Sequence, residues 1–174
     1  MAVPPLFFYT RGMKHLTIIR HAQAESDSPS GADIDRSLTG RGTKDALRLG
    51  VRLKERDIGP DLILTSEAVR AQETAESICT NLGCGHRMIR IERRLHHAQA
   101  SDIIGMIRLI PNRIERVFLV GHNPTVTQAL NRFCPGASDG MRAGTAAGLT
   151  FEDDTWMAIA FGGGTLQYYM EPEA

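Results

Sequence analysis

The chain is predicted to be an α/β protein: a three-layer sandwich with a mostly parallel central sheet and helices on both faces. Two observations predict this. Short apolar runs of strand length alternate with longer stretches whose apolar residues recur three and four apart, and the last part of the chain turns β-rich. A length of 174 residues suits one domain with a sizeable core, expected over residues 14–174. Residues 1–13 are expected to be a loose extension, since Met13 could itself be a start and the patch Leu6 to Tyr9 lacks the flanks of a signal peptide.

The elements follow in order. His15-Leu16-Thr17-Ile18-Ile19 reads as a buried strand running into Arg20-His21. Ala22 to Ser37, rich in Ser, Asp, Gly and Pro, is too long for an idle connection and reads as a binding loop or a partly disordered one. Ala46, Leu49, Gly50 and Leu53 share one face of a first helix. A second strand, Asp61 to Thr65, leads to a helix with Ala68, Ala71, Ala75, Ile78 and Leu82 on one face and Gly83 as its stop. Met88 to Ile91 is a short third strand. Ser101 reads as the N-cap of a helix carrying Ile103, Met106, Ile107 and Ile110, ended by Pro111. The strand Val117 to Val120 runs into Gly121-His122, and Asn123 as N-cap with Pro124 at the first helical position open the next helix. Two closing strands are expected, Ala146 to Phe151 and Trp156 to Phe161, the second broken by Gly162-Gly163-Gly164.

Composition narrows the function. An apolar fraction of 42% and a charged fraction of 23% are ordinary for a soluble globular protein. With zero net charge and no long basic run, neither a nucleic-acid partner nor an anionic membrane surface is expected. No apolar run reaches the length of a membrane span. Cys79, Cys84 and Cys134 are odd in number and form no C-x-x-C pair, which points away from a disulfide framework and towards a reducing, cytoplasmic setting. Cys79 falls on an apolar helix face and is expected in the core.

The chemistry is expected where three of these strands end. In an open α/β sheet, sites gather beyond the carboxyl ends of the strands. A buried strand has no structural reason to end in Arg20-His21. Arg70 lies in the first turn of its helix, where the macrodipole disfavours a cation; it is better explained if an anion shares the place than as a solvated arginine or a partner for Glu67 or Glu73. His122, beside a helix start, could be a satisfied structural histidine, but its position after Gly121 suits an anion ligand. Two arginines and two histidines there would suit a phosphoryl group, with one histidine free to attack it. Competing motifs are weak. Gly40-Arg41-Gly42-Thr43-Lys44 matches neither a P-loop nor a dinucleotide fingerprint, and reads as the opening of a helix. Adjacent His96 and His97 would point apart on a helix or strand, so no metal site is expected.

Arg20-His21-Ala22, Arg36-Ser37-Leu38-Thr39-Gly40-Arg41-Gly42, Thr65-Ser66-Glu67-Ala68-Val69-Arg70-Ala71-Gln72-Glu73-Thr74-Ala75 and Val120-Gly121-His122-Asn123-Pro124 together resemble the histidine phosphatase superfamily, the phosphoglycerate-mutase-like proteins. Within it they look like the small SixA-type phosphohistidine phosphatases. The resemblance runs from residue 14 to residue 170. It implies that His21 is the nucleophile of a covalent phosphohistidine intermediate. Arg20, Arg70 and His122, joined by Asn123, would bind the phosphoryl group, with no metal or cofactor. Two departures stand out. The motif is Arg-His-Ala where most of the superfamily has Arg-His-Gly. Larger members also carry a glutamate as general acid, a role for which Glu92 is the nearest candidate here, ahead of His96 and His97.

The substrate is accordingly expected to be a phosphorylated protein or a small phosphorylated molecule. Phosphohistidine in signalling or phosphotransfer proteins comes first, because an imidazole leaves without the strong acid that an alkoxide needs. The alternatives are a general phosphomonoesterase using Glu92 and a non-catalytic phosphate-recognition module. Oligomeric state is not legible.

Overall fold

A computed structural model describes residues 12–173 of the chain. Most of the residues expected to form an extension lie outside that range. Of the remainder, the Gly12 amide donates to the Asp154 carboxylate.

A six-stranded sheet carries the fold, in the order β3-β2-β4-β1-β5-β6. Its strands are β1 (Lys14–Arg20), β2 (Leu62–Thr65), β3 (Ile89–Ile91), β4 (Arg116–Gly121), β5 (Ala146–Phe151) and β6 (Thr165–Met170). The first four are mutually parallel, whereas β5 runs antiparallel to β1 and β6 antiparallel to β5. Helices α1 (Gly40–Glu55) and α2 (Val69–Leu82) cover one face; α3 (Ala100–Arg108) and α4 (Thr125–Phe133) cover the other. The predicted sandwich is therefore observed.

Side-chain alternation splits each central strand between two cores. Leu16 and Ile18 of β1, with Val117 and Leu119 of β4, pack under α3 and α4. Ile19, Phe118 and Val120 pack under α1 and α2. Burial on both faces explains why these strands read as continuous apolar runs. Each fully buried large aliphatic or aromatic side chain contributes roughly 1.5–3 kcal/mol, so the strand ends that carry the polar groups are anchored by the best-packed part of the molecule.

Helix starts and stops follow local chemistry. Thr39 caps α1, its hydroxyl accepting from the Gly42 amide at 2.9 Å. Gly42 packs directly against the Gln23 backbone, where any β-carbon would collide, so this turn is clamped to the segment following His21. Gly83 ends α2 with φ +70°, a left-handed cap that glycine takes without strain.

Four expectations need correction. Trp156 to Phe161 is not a strand: Trp156–Ala158 forms a 3-10 turn and the last strand is β6, after the glycines. Trp156 and Ile159 are buried while Met157 is exposed, a three-residue spacing that fits a helical turn and not a pleat. The glycines lead into a strand instead of ending one. Ser101 is not the cap of α3; the helix starts earlier, with the Asp102 carboxylate accepting from the Gln99 amide at 2.8 Å. Nor does Asn123 cap α4, which begins at Thr125 behind a cis Asn123–Pro124 bond. Finally, Cys79 is buried as expected, but the left-handed turn at Gly83 brings the Cys84 sulfur into bonding contact with it.

Candidate active site

The carboxyl ends of all four parallel strands meet at one place. Arg20 pairs with Gly121 and Thr65 with Val120 in register. The ladder continues one residue past each end: the His21 amide donates to the Gly121 carbonyl at 3.0 Å, Ser66 to Val120 at 3.1 Å and Glu92 to Thr65 at 2.8 Å. His21, Ser66, Glu92 and His122 thus leave the sheet from neighbouring strands at the same height. Gly121 is needed there, because a β-carbon would lie 2.9 Å from Cγ1 of Val126.

The rings of His21 and His122 stand 5.0 Å apart between centroids, tilted by 57°. Nδ1 of His21 lies 2.7 Å from the Ala22 carbonyl. A carbonyl can only accept, so Nδ1 carries the proton and Nε2 is the free, basic nitrogen. Burial pushes the His21 pKa down to about 4, against the pull of the Ala22 hydrogen bond; the charges of Arg70, Arg20 and Arg36 lower it further. Desolvation is a larger cause than the neighbouring guanidinium charges. His122 is pushed down to about 3, again by burial first, then by His21, Arg70 and His96, with Asp33 opposing. Both rings are therefore neutral at pH 7. Nε2 of His122 lies 2.8 Å from the Ser66 hydroxyl, either atom able to donate, and that hydroxyl oxygen accepts from the Ala68 amide.

Arg70, second residue of α2, is almost wholly buried. Its partner is neither Glu67 nor Glu73. Nη1 donates to the Asp33 carbonyl at 2.7 Å and Nη2 to the Asp33 carboxylate at 2.9 Å. Arg36 grips the same carboxylate at 2.7 Å. The loop left open by the sequence reading thus covers the site through a 3-10 turn, Asp33–Asp35. Arg20 sends Nη1 to the Met141 carbonyl at 2.8 Å.

Buried side-chain polar atoms normally find a partner. Among the described residues, five do not, and four of them are Nε of Arg20, Nε of Arg70, Nδ1 of His96 and Nδ1 of His122. Two of these are guanidinium N–H groups, donors left free beside His21 at the end of the sheet.

The remaining candidates fare differently. Asn123 donates from Nδ2 to the same Met141 carbonyl at 2.9 Å and accepts from the Thr127 hydroxyl at 2.7 Å. It therefore braces the backbone that holds Arg20, with one amide hydrogen and one oxygen lone pair engaged. Glu92 is unsuited to be an acid. Its carboxylate is forked by Arg94, at 2.8 and 3.0 Å, and the bonds from Arg94 hold its pKa below the ordinary range. His96 and His97 do not point apart, because they lie at the end of a 3-10 turn, Arg93–His96, which sets their rings 4.3 Å apart. His96 reaches the ring of His122, 5.4 Å between centroids. Sequence reasoning missed Asp33, Arg36 and this role of the turn. Arg36 stood within one of the recognised motifs, whereas nothing marked Asp33. No group of three or more metal-ligating side chains occurs among the described residues. No helix among them is long and apolar enough to cross a membrane.

Residues 16–136 match the histidine phosphatase superfamily (branch 1), and the chain belongs to that superfamily. Within it, the structural likeness falls on the SixA type. A protein of Nakamurella multipartitia described as a phosphohistidine phosphatase SixA superposes with a TM-score of 0.77 at 26% identity, over 94% of this chain and 98% of that one. A protein histidine phosphatase SixA complexed with tungstate shares the fold, at TM-score 0.77 and 23% identity over 91% and 97% of the two chains. Among curated sequences, an uncharacterized protein of Mycobacterium leprae is 32% identical over 63% of this chain and 66% of its own length. One of Mycobacterium tuberculosis is 31% identical over 63% and 65%. The chain thus spans just under two thirds of the curated relatives it matches.

Proposed function

We propose that residues 14–174 form a cofactor-independent phosphatase domain that works through a phosphohistidine on His21. Its substrates are phosphohistidine residues of cytoplasmic signalling or phosphotransfer proteins. The observation that carries this reading is a neutral, tautomerically pinned imidazole set among four unpartnered buried N–H or ring-nitrogen groups. Phosphoryl transfer depends on positioning and charge neutralisation more than on covalent help from the protein. Nε2 of His21 attacks phosphorus; Arg20, Arg70 and His122 take the phosphoryl oxygens; Ser66 and Asn123 hold His122 and Arg20 in place. Water then releases phosphate from His21.

The leaving group supports a phosphohistidine substrate. With Glu92 engaged by Arg94, no carboxylic acid is at hand to protonate an alkoxide, a contribution of about 10²–10⁴-fold in rate. An imidazole, whose conjugate acid has a pKa of about 6.5, needs no more than a weak proton donor.

The test compares kcat/KM for a phosphohistidine-bearing protein with that for a panel of phosphate esters, and looks for an acid-labile label on the enzyme. We expect the phosphohistidine protein to be preferred, and the label to vanish in His21→Ala. Efficient ester turnover with an untouched phosphohistidine protein would refute the substrate assignment. A protein that binds phosphate but never becomes labelled would be a recognition module.

A further inference from the structure

We propose that His96 is the proton carrier of this site, giving a proton to the leaving atom in the first step and taking one from water in the second. The inference rests on the reaction proposed above and gives it a weak, imidazole-type proton donor in place of a carboxylic acid.

Position is the first argument. In-line transfer places the entering and leaving atoms on opposite sides of phosphorus. His122 touches two rings: His21 at 5.0 Å and His96, edge-on at 84°, at 5.4 Å. A phosphoryl group lying along His122 with His21 behind it presents its departing atom on the His96 side. Attacking water arrives on that same side in the second step.

Availability is the second. Nδ1 of His96 is buried without a partner. Every nearby carboxylate is occupied: Glu92 by Arg94, Glu67 by Arg93 at 3.7 Å, and Asp33 by Arg70 and Arg36. The groups facing His96 are His97 from its own turn, Arg70 from α2, Asp33 from the covering loop, Glu67 from the segment before α2, and His122. Burial, then His97 and Arg70, lower its pKa, and Asp33 and Glu67 oppose them. A phosphoryl dianion arriving beside it shifts the balance towards the charged ring, so the substrate brings its own acid into the protonated form.

The protons balance. As the P–N bond of the substrate breaks, its electron pair goes to the leaving nitrogen, which takes the proton of His96, while phosphorus bonds to Nε2 of His21. Neutral His96 then accepts a proton from water as the water oxygen bonds to phosphorus. The P–N pair returns to Nε2, and hydrogen phosphate leaves with His96 protonated again. One water is consumed and one phosphate released.

The test uses His96→Gln and His96→Asn, each checked for a native circular dichroism spectrum. Their kcat/KM values are measured on the phosphohistidine protein and on aryl phosphates from 4-nitrophenyl to phenyl. A proton donor matters more as the leaving group becomes more basic, so the loss should grow from about threefold to about 10²-fold along the aryl series. Phospho-His21 should also accumulate in both variants, because its hydrolysis loses a base. A loss equal across the series, or no loss, overturns the assignment. Labelling of His21 in the wild type, read in the same reactions, reports separately on the covalent mechanism; if it is absent, both readings fall.

Discussion

Asp33 holds Arg70 by two points, its carbonyl oxygen accepting from Nη1 at 2.7 Å and its carboxylate from Nη2 at 2.9 Å. The carboxylate is an anion placed on a guanidinium proposed to bind the substrate's phosphoryl group. It orients Arg70 and competes with an incoming dianion. Replacing it by a neutral amide should keep the carbonyl contact and remove the competition. Because the carboxylate is largely exposed, the gain is limited to about 0.5–1 kcal/mol. Asp33→Asn is expected to lower KM two- to fivefold, by the free-energy conversion of about 1.4 kcal/mol per decade, with kcat little changed. Steady-state kinetics at constant ionic strength checks this.

Arg70→Lys keeps the charge but loses the planar fork and one of the unpartnered donors. Lysine is no equivalent where two oxygens are addressed at once. A fall in kcat/KM of about 10²–10³-fold is expected, with a native circular dichroism spectrum. A near-normal rate would place phosphoryl binding elsewhere.

Glu92→Gln should leave ester and phosphohistidine hydrolysis within about threefold of wild type, since the carboxylate faces Arg94 and has no proton to give at neutral pH. A large, ester-specific loss would restore Glu92 as the acid.

Stability should fall in mild acid. The folded pKa values of His21 and His122, about 4 and about 3, lie below the unfolded value of about 6.5. Between those limits the unfolded chain binds protons that the folded one refuses. The stabilisation is therefore full above pH 6.5 and is lost as pH falls towards 4 and then 3. The two shifts together set an upper bound of about 6 kcal/mol on the drop between pH 7 and 4, measured by urea denaturation. A His21→Phe, His122→Phe double variant should show a shallower drop.

How legible the site was depended on what each residue answers to. Arg20, His21 and His122 stood out because a strand buried on both faces has no packing use for them. Arg70 stood out because a helix start repels a cation. Those arguments concern backbone direction, which apolar patterning reveals well. Partner choice is different. That Asn123 would brace Met141 and not cap α4, or that Glu92 would turn to Arg94, depends on where distant segments pass. His96, named only behind Glu92 as an acid, was ranked low for a similar reason: the rule that adjacent side chains diverge holds for helices and strands, not for the tight turn it occupies. Trp156 to Phe161 was misread because apolar content alone cannot separate a pleat from a short turn.

The unpartnered groups of Arg20, Arg70 and His122 at the strand ends suit the phosphoryl moiety of the proposed reaction and not whatever bears it. Inorganic phosphate is consequently as good a tenant as the substrate's own head group. If the proposed reaction holds, free phosphate competes with the substrate, and added phosphate is expected to raise KM while leaving kcat unchanged.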